Sequence, residues 1–360
     1  MSFTTIEFMF RFLPIFLIVY YVVPTRYKNM ILLIGSFVFY AWGQHFYLLL
    51  LMLSIVVNYT FGRLIGERRS QKKPLLVLGL IYNFGLLVFF KYTNFFIENI
   101  NALLTATHVQ IPTISVVMPL GISFYTFQTM SYTIDVYRGQ VKPEHNIIDF
   151  GSFVVLFPQL IAGPIVRYTD IRRELRDRRM NLDQISLGVR TFILGLASKV
   201  LIANNVGALW TETEQIGFAG LSTAQAWLAI LAFSLQIYFD FSGYSLMAIG
   251  LGRMLGFEFP KNFDFPYISK SMTEFWRRWH MTLGSWFREY LYIPLGGNRR
   301  GAVRTVLNLF FVWAATGLWH GASWNFVIWG LLFFVLLMME KGFFKSFLDH
   351  HPVWARIYMV

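Results

Sequence analysis

Apolar residues in this chain run in long blocks, and the polar residues gather between them. The blocks fall roughly at residues 6–24, 29–43, 46–62, 74–92, 113–131, 184–206, 222–250, 303–319 and 321–340. Several approach the ~20 residues that a helix needs to cross a bilayer. A transmembrane β-barrel would alternate apolar and polar positions over segments of roughly 10 residues, and these blocks do not alternate. The pattern predicts an all-α, polytopic membrane protein forming one membrane domain over residues 1–360.

Two stretches break the pattern. Residues 147–165 are apolar but contain Pro158, Gly163 and Pro164. That predicts a broken or re-entrant element, which survives at membrane depth only where protein or a wet cavity surrounds it. Residues 251–302 mix Arg, Lys, Trp and Phe and hold no clean apolar span. Within them Trp276, His280, Leu283 and Phe287 recur at offsets of 3 and 4, which predicts an interfacial or re-entrant helix over Ser271–Tyr290 on the cytoplasmic side.

Composition agrees. Of 360 residues, 56% are hydrophobic and 14% charged, against about 25% charged in a typical soluble domain. The net charge of +12 sits in the loops, where topology and anionic lipid headgroups explain it better than nucleic acid does. Arg63, Arg68, Arg69, Lys72 and Lys73 mark one cytoplasmic loop, and Arg167, Arg172, Arg173, Arg176, Arg178 and Arg179 another. Residues 93–112 carry no Lys or Arg, and 207–221 carry Glu212 and Glu214 instead, so these loops are expected outside, with the N-terminus outside too. Absence of cysteine excludes disulfides, thiolate metal sites and a Cys nucleophile. Phe8–Val23 lacks a basic n-region and a small-residue cleavage site, so it reads as a retained span.

Two histidines stand in apolar, tryptophan-framed segments: His280 in Arg277-Arg278-Trp279-His280 and His320 in Leu318-Trp319-His320-Gly321. Ionisable groups at membrane depth are costly and usually face a cavity or a partner. Imidazole also titrates near working pH, with an ordinary pKa of about 6.5. On one helix, Trp313, Thr316, Gly317, Ser323 and Trp324 would share the face of His320, giving a small, hydroxylated, aromatic-walled surface. His280 would share its face with Trp276, Arg277, Leu283 and Gly284, with Arg277 and Arg278 as anion-binding donors. The same residues also fit plainer roles: a structural His bonded to a carbonyl for His320, and a headgroup-binding basic helix for His280. The other histidines (His45, His108, His145, His350 and His351) fall in loops or at segment ends.

Asp135, Asp149, Asp240 and Asp264 are the acidic candidates. Asp240 lies toward the middle of a long apolar stretch, which fits either a functional carboxylate or a packing clasp to Tyr or Ser hydroxyls. No Gly-x-x-x-x-Gly-Lys-Ser/Thr loop and no His-Glu-x-x-His occurs. His-Gly-Ala-Ser at 320–323 suggests a Ser/His hydrolase only faintly, because Gly-x-Ser-x-Gly is absent. No His/Asp/Glu cluster has ligand spacing, so no metal is expected.

Five blocks carry a resemblance: Met118-Pro-Leu-Gly-Ile-Ser-Phe-Tyr-Thr-Phe-Gln128; Phe157-Pro-Gln-Leu-Ile-Ala-Gly-Pro-Ile-Val-Arg167; Asp240-Phe-Ser-Gly-Tyr244; Phe275-Trp-Arg-Arg-Trp-His280 through Tyr292-Ile-Pro-Leu-Gly-Gly-Asn298; and Gly317-Leu-Trp-His-Gly-Ala-Ser-Trp324. Together they resemble the membrane-bound O-acyltransferases, in the bacterial alginate O-acetylation branch, with the D-alanyl transfer protein of teichoic-acid synthesis more distant. The family pattern usually continues Ser-Gly-Tyr-Ser with Asp, where this chain has Leu246, and the family usually continues with further helices beyond the point where this chain stops at Val360.

The resemblance implies a ring of tilted helices around a funnel, with His320 as the family's essential His and His280 as its second. It implies acyl transfer to a hydroxyl: acetyl from a cytoplasmic thioester such as acetyl-CoA, moved for O-acetylation of an alginate-like extracellular or cell-wall polysaccharide. No bound cofactor is expected. Trp276, Arg277, Arg278, Thr316, Trp319, Ser323 and Asp240 are the expected lining of the donor site or channel. An SGNH-type extracytoplasmic acetyltransferase is the implied partner, and the bacterial inner membrane the implied location. The alternative from another class is a transporter or channel for a polar solute, without covalent chemistry. A purely structural scaffold for polysaccharide secretion is the third reading.

Overall fold

The computed structural model describes residues 1–105 and 109–359. His108 and Val360 lie outside the described residues. Every regular element among the described residues is helical. Among the described residues, six stretches are long and apolar enough to cross a membrane: Thr25–Glu67, Lys72–Leu103, Leu182–Ile216, Thr223–Met254, Ala302–His320 and Trp324–His350. The protein is therefore an all-α, multi-pass membrane protein. The chain divides into two compact units, one of Met1–Val56 with Glu144–Lys261, the other of Val57–Pro143 with the residues from Asn262 onward.

In the first unit, helices Leu182–Ala197 and Thr223–Met254 pack backbone to backbone. A Cβ built on Gly195 would meet Gly243 O at 2.5 Å, and one on Gly250 would meet Gly188 O at 2.6 Å. The two glycines on each helix are seven residues apart, so they form one stripe. In lipid no hydrophobic drive brings helices together, and such small-residue stripes supply close van der Waals contact instead.

The interrupted apolar stretch is also in this unit, and it breaks as expected. Helix Ile147–Val155 ends at Leu156, ahead of Pro158, and a short turn Phe157–Leu160 follows. Phe153, Val154, Val155, Leu156, Phe157 and Leu160 are fully buried. Backbone groups opened by the break find partners in protein: Phe157 N–H donates to Ser36 Oγ at 3.1 Å, and Gln159 Nε2 donates to Phe153 O at 2.6 Å. The Phe157 ring is packed by Phe12, Phe16 and Phe39 at 5.2–5.4 Å.

In the second unit, helix Ile122–Arg138 lies buried, not lipid-facing, and carries Gln128, Thr129, Ser131, Thr133 and Asp135 in its interior contacts. The expected span 113–131 is corrected by this element. Pro119 and the left-handed Gly121 (φ 73°) delay the helix to Ile122, and it then runs to Arg138. Some of its polar residues are answered internally, whereas the buried Gln128 side-chain amide has no hydrogen-bond partner among the described residues. Thr129 Oγ donates to Asn83 Oδ1 (3.0 Å), Asn83 Nδ2 donates to Asn58 Oδ1 (2.7 Å), and Tyr290 O–H donates to Asp135 Oδ2 (2.8 Å). Trp286 stacks on Phe127 at 3.8 Å and donates its indole N–H to Phe127 O.

Two further spans run longer than expected. The block at 74–92 continues through a π-helical turn, Val88–Tyr92, to Leu103, and the block at 184–206 continues through Ser198–Ala203 to Ile216.

The glycine stripe is open to test. Gly195→Val sets a branched side chain against the Gly243 carbonyl and Met247 N–H, and overpacking against backbone costs about 1–3 kcal/mol or more. The expected outcome is a clear drop in the thermal midpoint in detergent. Gly85→Ala, in helix Lys72–Leu87 with nothing within 4 Å of the added Cβ, is expected to gain about 0.5–1 kcal/mol. Equal effects at the two positions would mean that backbone contact is not what the stripe provides.

Candidate functional site

The site is built on two helix ends in the second unit. Helix Met272–Arg278 begins where Glu340 reaches across to it: the buried carboxylate accepts from Met272 N–H at 2.6 Å and Thr273 N–H at 3.2 Å. An acidic group there suits the exposed N–H groups and the helix dipole. Ser271 caps the same end, accepting from Glu274 N–H at 3.1 Å. The helix stops at Trp279, and His280 adopts a left-handed backbone (φ 43°, ψ 53°) before helix Met281–Phe287 begins. The continuous helix expected over Ser271–Tyr290 is thereby corrected. A non-glycine residue held left-handed carries about 1–3 kcal/mol of strain, and such residues cluster at functional sites.

Asn262 holds that break together. Its backbone carbonyl accepts from Met281 N–H at 2.9 Å. Its side-chain Oδ1 accepts from Thr282 N–H (3.3 Å) and Thr282 Oγ–H (2.9 Å), and it lies 3.0 Å from His280 Nδ1. Because Thr282 N–H is a donor only, the amide oxygen is the atom facing this cluster. His280 Nδ1 must then carry the proton, and the lone pair sits on Nε2. Burial, with the nearby His320 imidazole, holds the His280 pKa down at about 3, so the ring is neutral.

Helix Ala302–His320 ends at His320, where Gly321 turns extended. Ser323 and Trp324 therefore do not share the His320 face. Ser323 precedes the next helix, Trp324–Met339, and Trp324 is exposed and donates its indole N–H to Asn99. The His320 ring instead meets Trp329 at 4.9 Å and Trp319 at 5.0 Å, both edge-on. The two helices close on each other through Gly317 and Gly330, where an added Cβ would lie 2.4 Å from a backbone oxygen of the other helix.

His280 and His320 line one cavity of about 210 Å³ with Trp276, Trp279, Leu283, Gly284, Trp313 and Thr316 among its walls. The structure thus brings His280, His320, Trp276 and Thr316 to one cavity. Trp319 stands between the two imidazoles, 6.1 Å from His280 and 5.0 Å from His320, and faces a second, mostly apolar cavity of about 640 Å³. Arg277 is exposed and does not line the histidine cavity. Arg278 is committed elsewhere, to Glu274 at 2.9 Å and to the Asp264 carbonyl at 3.0 Å. Asp240 belongs to the first unit, where Lys199 is its ion-pair partner in place of the expected Tyr or Ser hydroxyl.

Two residues of the site escaped the sequence reading. Asn262 is one, since nothing local marks it as the partner of a histidine 18 positions on. Lys91 is the other. Its ammonium donates to the Trp319 carbonyl and lies 5.6 Å from the Trp319 ring, while Tyr92 O–H donates to Leu318 O at 2.6 Å. Together they satisfy carbonyls left open at the end of helix Ala302–His320. The π-helical turn Val88–Tyr92 presents both, and such turns recur at functional sites. The available signal was a single Lys inside Val88-Phe-Phe-Lys-Tyr92. With the apolar block ending at Tyr92, Lys91 reads as a boundary residue.

A family model described as the membrane-bound O-acyltransferase family matches residues 89–358. The chain is 46% identical over 347 residues to a probable alginate O-acetylase AlgI of Pseudomonas syringae pv. tomato, covering 95% of this chain and 66% of the relative. It is 45% identical to the protein of the same description from Pseudomonas aeruginosa, at 95% and 66% coverage. It is 38% identical to a peptidoglycan O-acetyltransferase of Helicobacter pylori, covering 99% of this chain and 73% of that protein. The chain thus spans about two thirds of the length of the alginate-type relatives.

The locked imidazole makes two measurable statements. Asn262→Leu strands three buried donors, each costing about 1–3 kcal/mol when unsatisfied, so a large fall in the unfolding midpoint is expected, with Asn262→Asp, which keeps an acceptor, falling less. Acidity gives the second. A folded-state pKa near 3 against about 6.5 in the unfolded chain means that the unfolded state binds the proton more readily. The His280 contribution is complete above about pH 6.5 and is lost as pH falls toward 3. In unfolding midpoints measured across that window, His280→Gln should show a shallower acid decline than wild type, and identical slopes would contradict a buried neutral ring.

Proposed function

Because the chain belongs to the membrane-bound O-acyltransferase family, we propose that it transfers an acyl group from a thioester to a hydroxyl acceptor, and that the cavity shared by His280 and His320 is where the reaction occurs. The observation that carries this reading is the meeting of two imidazoles on one small, aromatic-walled cavity in a membrane protein. Acetyl-CoA is the proposed donor and acetyl the proposed group. The alginate and peptidoglycan named for the relatives make a bacterial polysaccharide the proposed final acceptor. The bacterial inner membrane is the proposed location, with an SGNH-type extracytoplasmic acetyltransferase as the proposed partner that takes the group onward.

In this mechanism His320, as neutral imidazole, takes the proton of the acceptor hydroxyl as its oxygen bonds to the thioester carbonyl carbon. Collapse of the tetrahedral intermediate breaks the C–S bond, and the thiolate leaves with the proton returned by the imidazolium. His280 presents Nε2 as a fixed acceptor, held by Asn262, and orients the hydroxyl or shares its proton. The cavity walls exclude water and hold both reactants in one place, and proximity of this kind contributes several kcal/mol in well-oriented systems. Lys91 and Tyr92 fix the backbone on which His320 sits. Exposed Arg277, at the end of a helix whose other basic residue is already paired, is the proposed first contact for donor phosphates. The family and the relatives' descriptions favour covalent transfer over the rival solute channel.

The test is acetyl transfer by the full-length protein in lipid, from radiolabelled acetyl-CoA to alginate oligosaccharide, with the partner supplied. His320→Ala is expected to remain folded and to lose about 10²–10⁴-fold in rate, the span typical of a positioned general base. Undiminished transfer by that variant would remove His320 from the role of base.

A further inference from the structure

The cavity of His280 and His320 is uneven in its access to water. His280 is 3% exposed, whereas the Arg288 side chain, on the wall of the same cavity, is 72% exposed. Most of the remaining wall is apolar or aromatic, with Leu283, Phe287, Leu309 and Val312 on it. One cavity therefore joins a buried imidazole to a guanidinium that solvent reaches.

Arg288 is the only fully charged residue lining this cavity among the described residues, and no carboxylate lines it. The one acid near its guanidinium is Glu289, with Oε1 3.9 Å from Nε, too far for a hydrogen bond. Its side chain has no other polar partner among the described residues. An uncommitted Arg is ordinary on an open surface. This one stands on the rim of the candidate reaction cavity, where other polar groups are spoken for. The Thr316 hydroxyl donates to Val312 O at 2.7 Å, and His280 Nδ1–H is directed to Asn262 Oδ1 at 3.0 Å. Arg288 opens the π-helical turn Arg288–Tyr292, and Tyr292 closes that turn and lines the same cavity. Turns of this kind recur at functional sites.

We infer that Arg288 is the donor-specificity residue of this cavity, binding a phosphate of the thioester donor at the rim while the acyl carbonyl reaches His320. This rests on the acyl-transfer reading above. A donor such as acetyl-CoA carries its phosphates at one end of an uncharged arm and its thioester at the other. The cavity has the same polarity, with a cation at its exposed part, apolar walls, and imidazole at its buried part. A guanidinium offers a fixed fork of donors that fits phosphate oxygens. Arg288 belongs to the segment expected on the cytoplasmic side, where such a donor arrives. Arg277 lies outside the cavity, so its contact with the phosphates ends where that of Arg288 begins. No bond is made or broken by Arg288, and the path of proton and acyl group is unchanged.

The test compares two donors, acetyl-CoA and S-acetylpantetheine, which keeps the arm and thioester but has no phosphate. Full-length wild type, Arg288→Met, Arg288→Lys and His320→Ala are assayed in lipid with alginate oligosaccharide as acceptor. In Arg288→Met the KM for acetyl-CoA is expected to rise about tenfold, the effect of losing one charge-assisted hydrogen bond, with kcat unchanged because the contact serves binding and not the chemical step. Arg288→Lys should recover part of that KM, and S-acetylpantetheine should be used equally by wild type and Arg288→Met. An unchanged KM for acetyl-CoA in Arg288→Met overturns the inference. An equal loss with both donors assigns Arg288 to packing and overturns it too. A loss carried by the KM for the oligosaccharide gives the guanidinium to an acceptor carboxylate and likewise overturns it. If His320→Ala transfers as well as wild type, the acyl-transfer reading itself fails and the role of Arg288 falls with it.

Discussion

A bilayer interior offers no water to an open backbone, so every place where a helix stops at depth must be answered by the protein itself. Buried backbone anywhere in the fold makes the same demand, and the interruptions seen here meet it with protein groups. The break at Leu156 is met by Ser36 and Gln159, and the end of helix Ala302–His320 by Lys91 and Tyr92. The start of helix Met272–Arg278 is met by Glu340, and the break at His280 by Asn262 and Thr282. The functional side chains ride on these repairs. His320 and His280 are both helix-end residues, so the groups that satisfy the backbone also set where the imidazoles point. Satisfying the chain and building the site are one physical task in this protein.

The same solvent explains the packing. Lipid tails are as apolar as Leu, so burying Leu against Leu gains little between spans. Close contact has to come from shape. Gly188, Gly195, Gly243 and Gly250 let two helices touch along their backbones in one unit, and Gly317 and Gly330 do so in the other. The second of these closures has chemical weight, because it lies within one turn of His320. Aromatic rings fill what glycine leaves: Trp276 meets Trp313, Trp329 and Phe333 edge to face, and Trp329 meets Phe333 likewise, beside the histidine cavity. Edge-to-face packing fixes ring orientation as well as position, which is what a preorganised site needs.

How much of this could be read from sequence follows from the range of each signal. Hydropathy is a local average, so the class of fold, most spans and the break at Pro158 were legible from it. Boundaries were less so. Pro119 and Gly121 moved one helix from 113–131 to Ile122–Arg138, and two spans ran on through π-helical turns that leave no periodic mark. His280 and His320 stood out because ionisable groups are rare in such segments. Their neighbours did not follow from helical spacing, because both residues sit where the helix stops. Ser323 therefore falls in the connection between two helices, and Leu283 joins the cavity from beyond a left-handed residue instead of from the same face. Asn262, Lys91 and the Lys199 partner of Asp240 are contacts between distant positions, and a single sequence carries no trace of which distant pair will meet.

The two histidines differ in a way that bears on their duties. His280 is 3% exposed, strained in backbone, and tied by Nδ1 to an amide oxygen with two other donors on it. Every one of these features opposes change in its protonation or orientation. A ring so constrained is suited to accepting a hydrogen bond and poorly suited to taking up and releasing a full proton each turnover. His320 is less buried and is held by the faces and edges of Trp319 and Trp329. Aromatic contacts of this kind tolerate either protonation state of an imidazole, since a cationic ring is itself attracted to an indole. In the acyl-transfer reading, the proton therefore travels through His320, and His280 supplies the fixed geometry against which it moves.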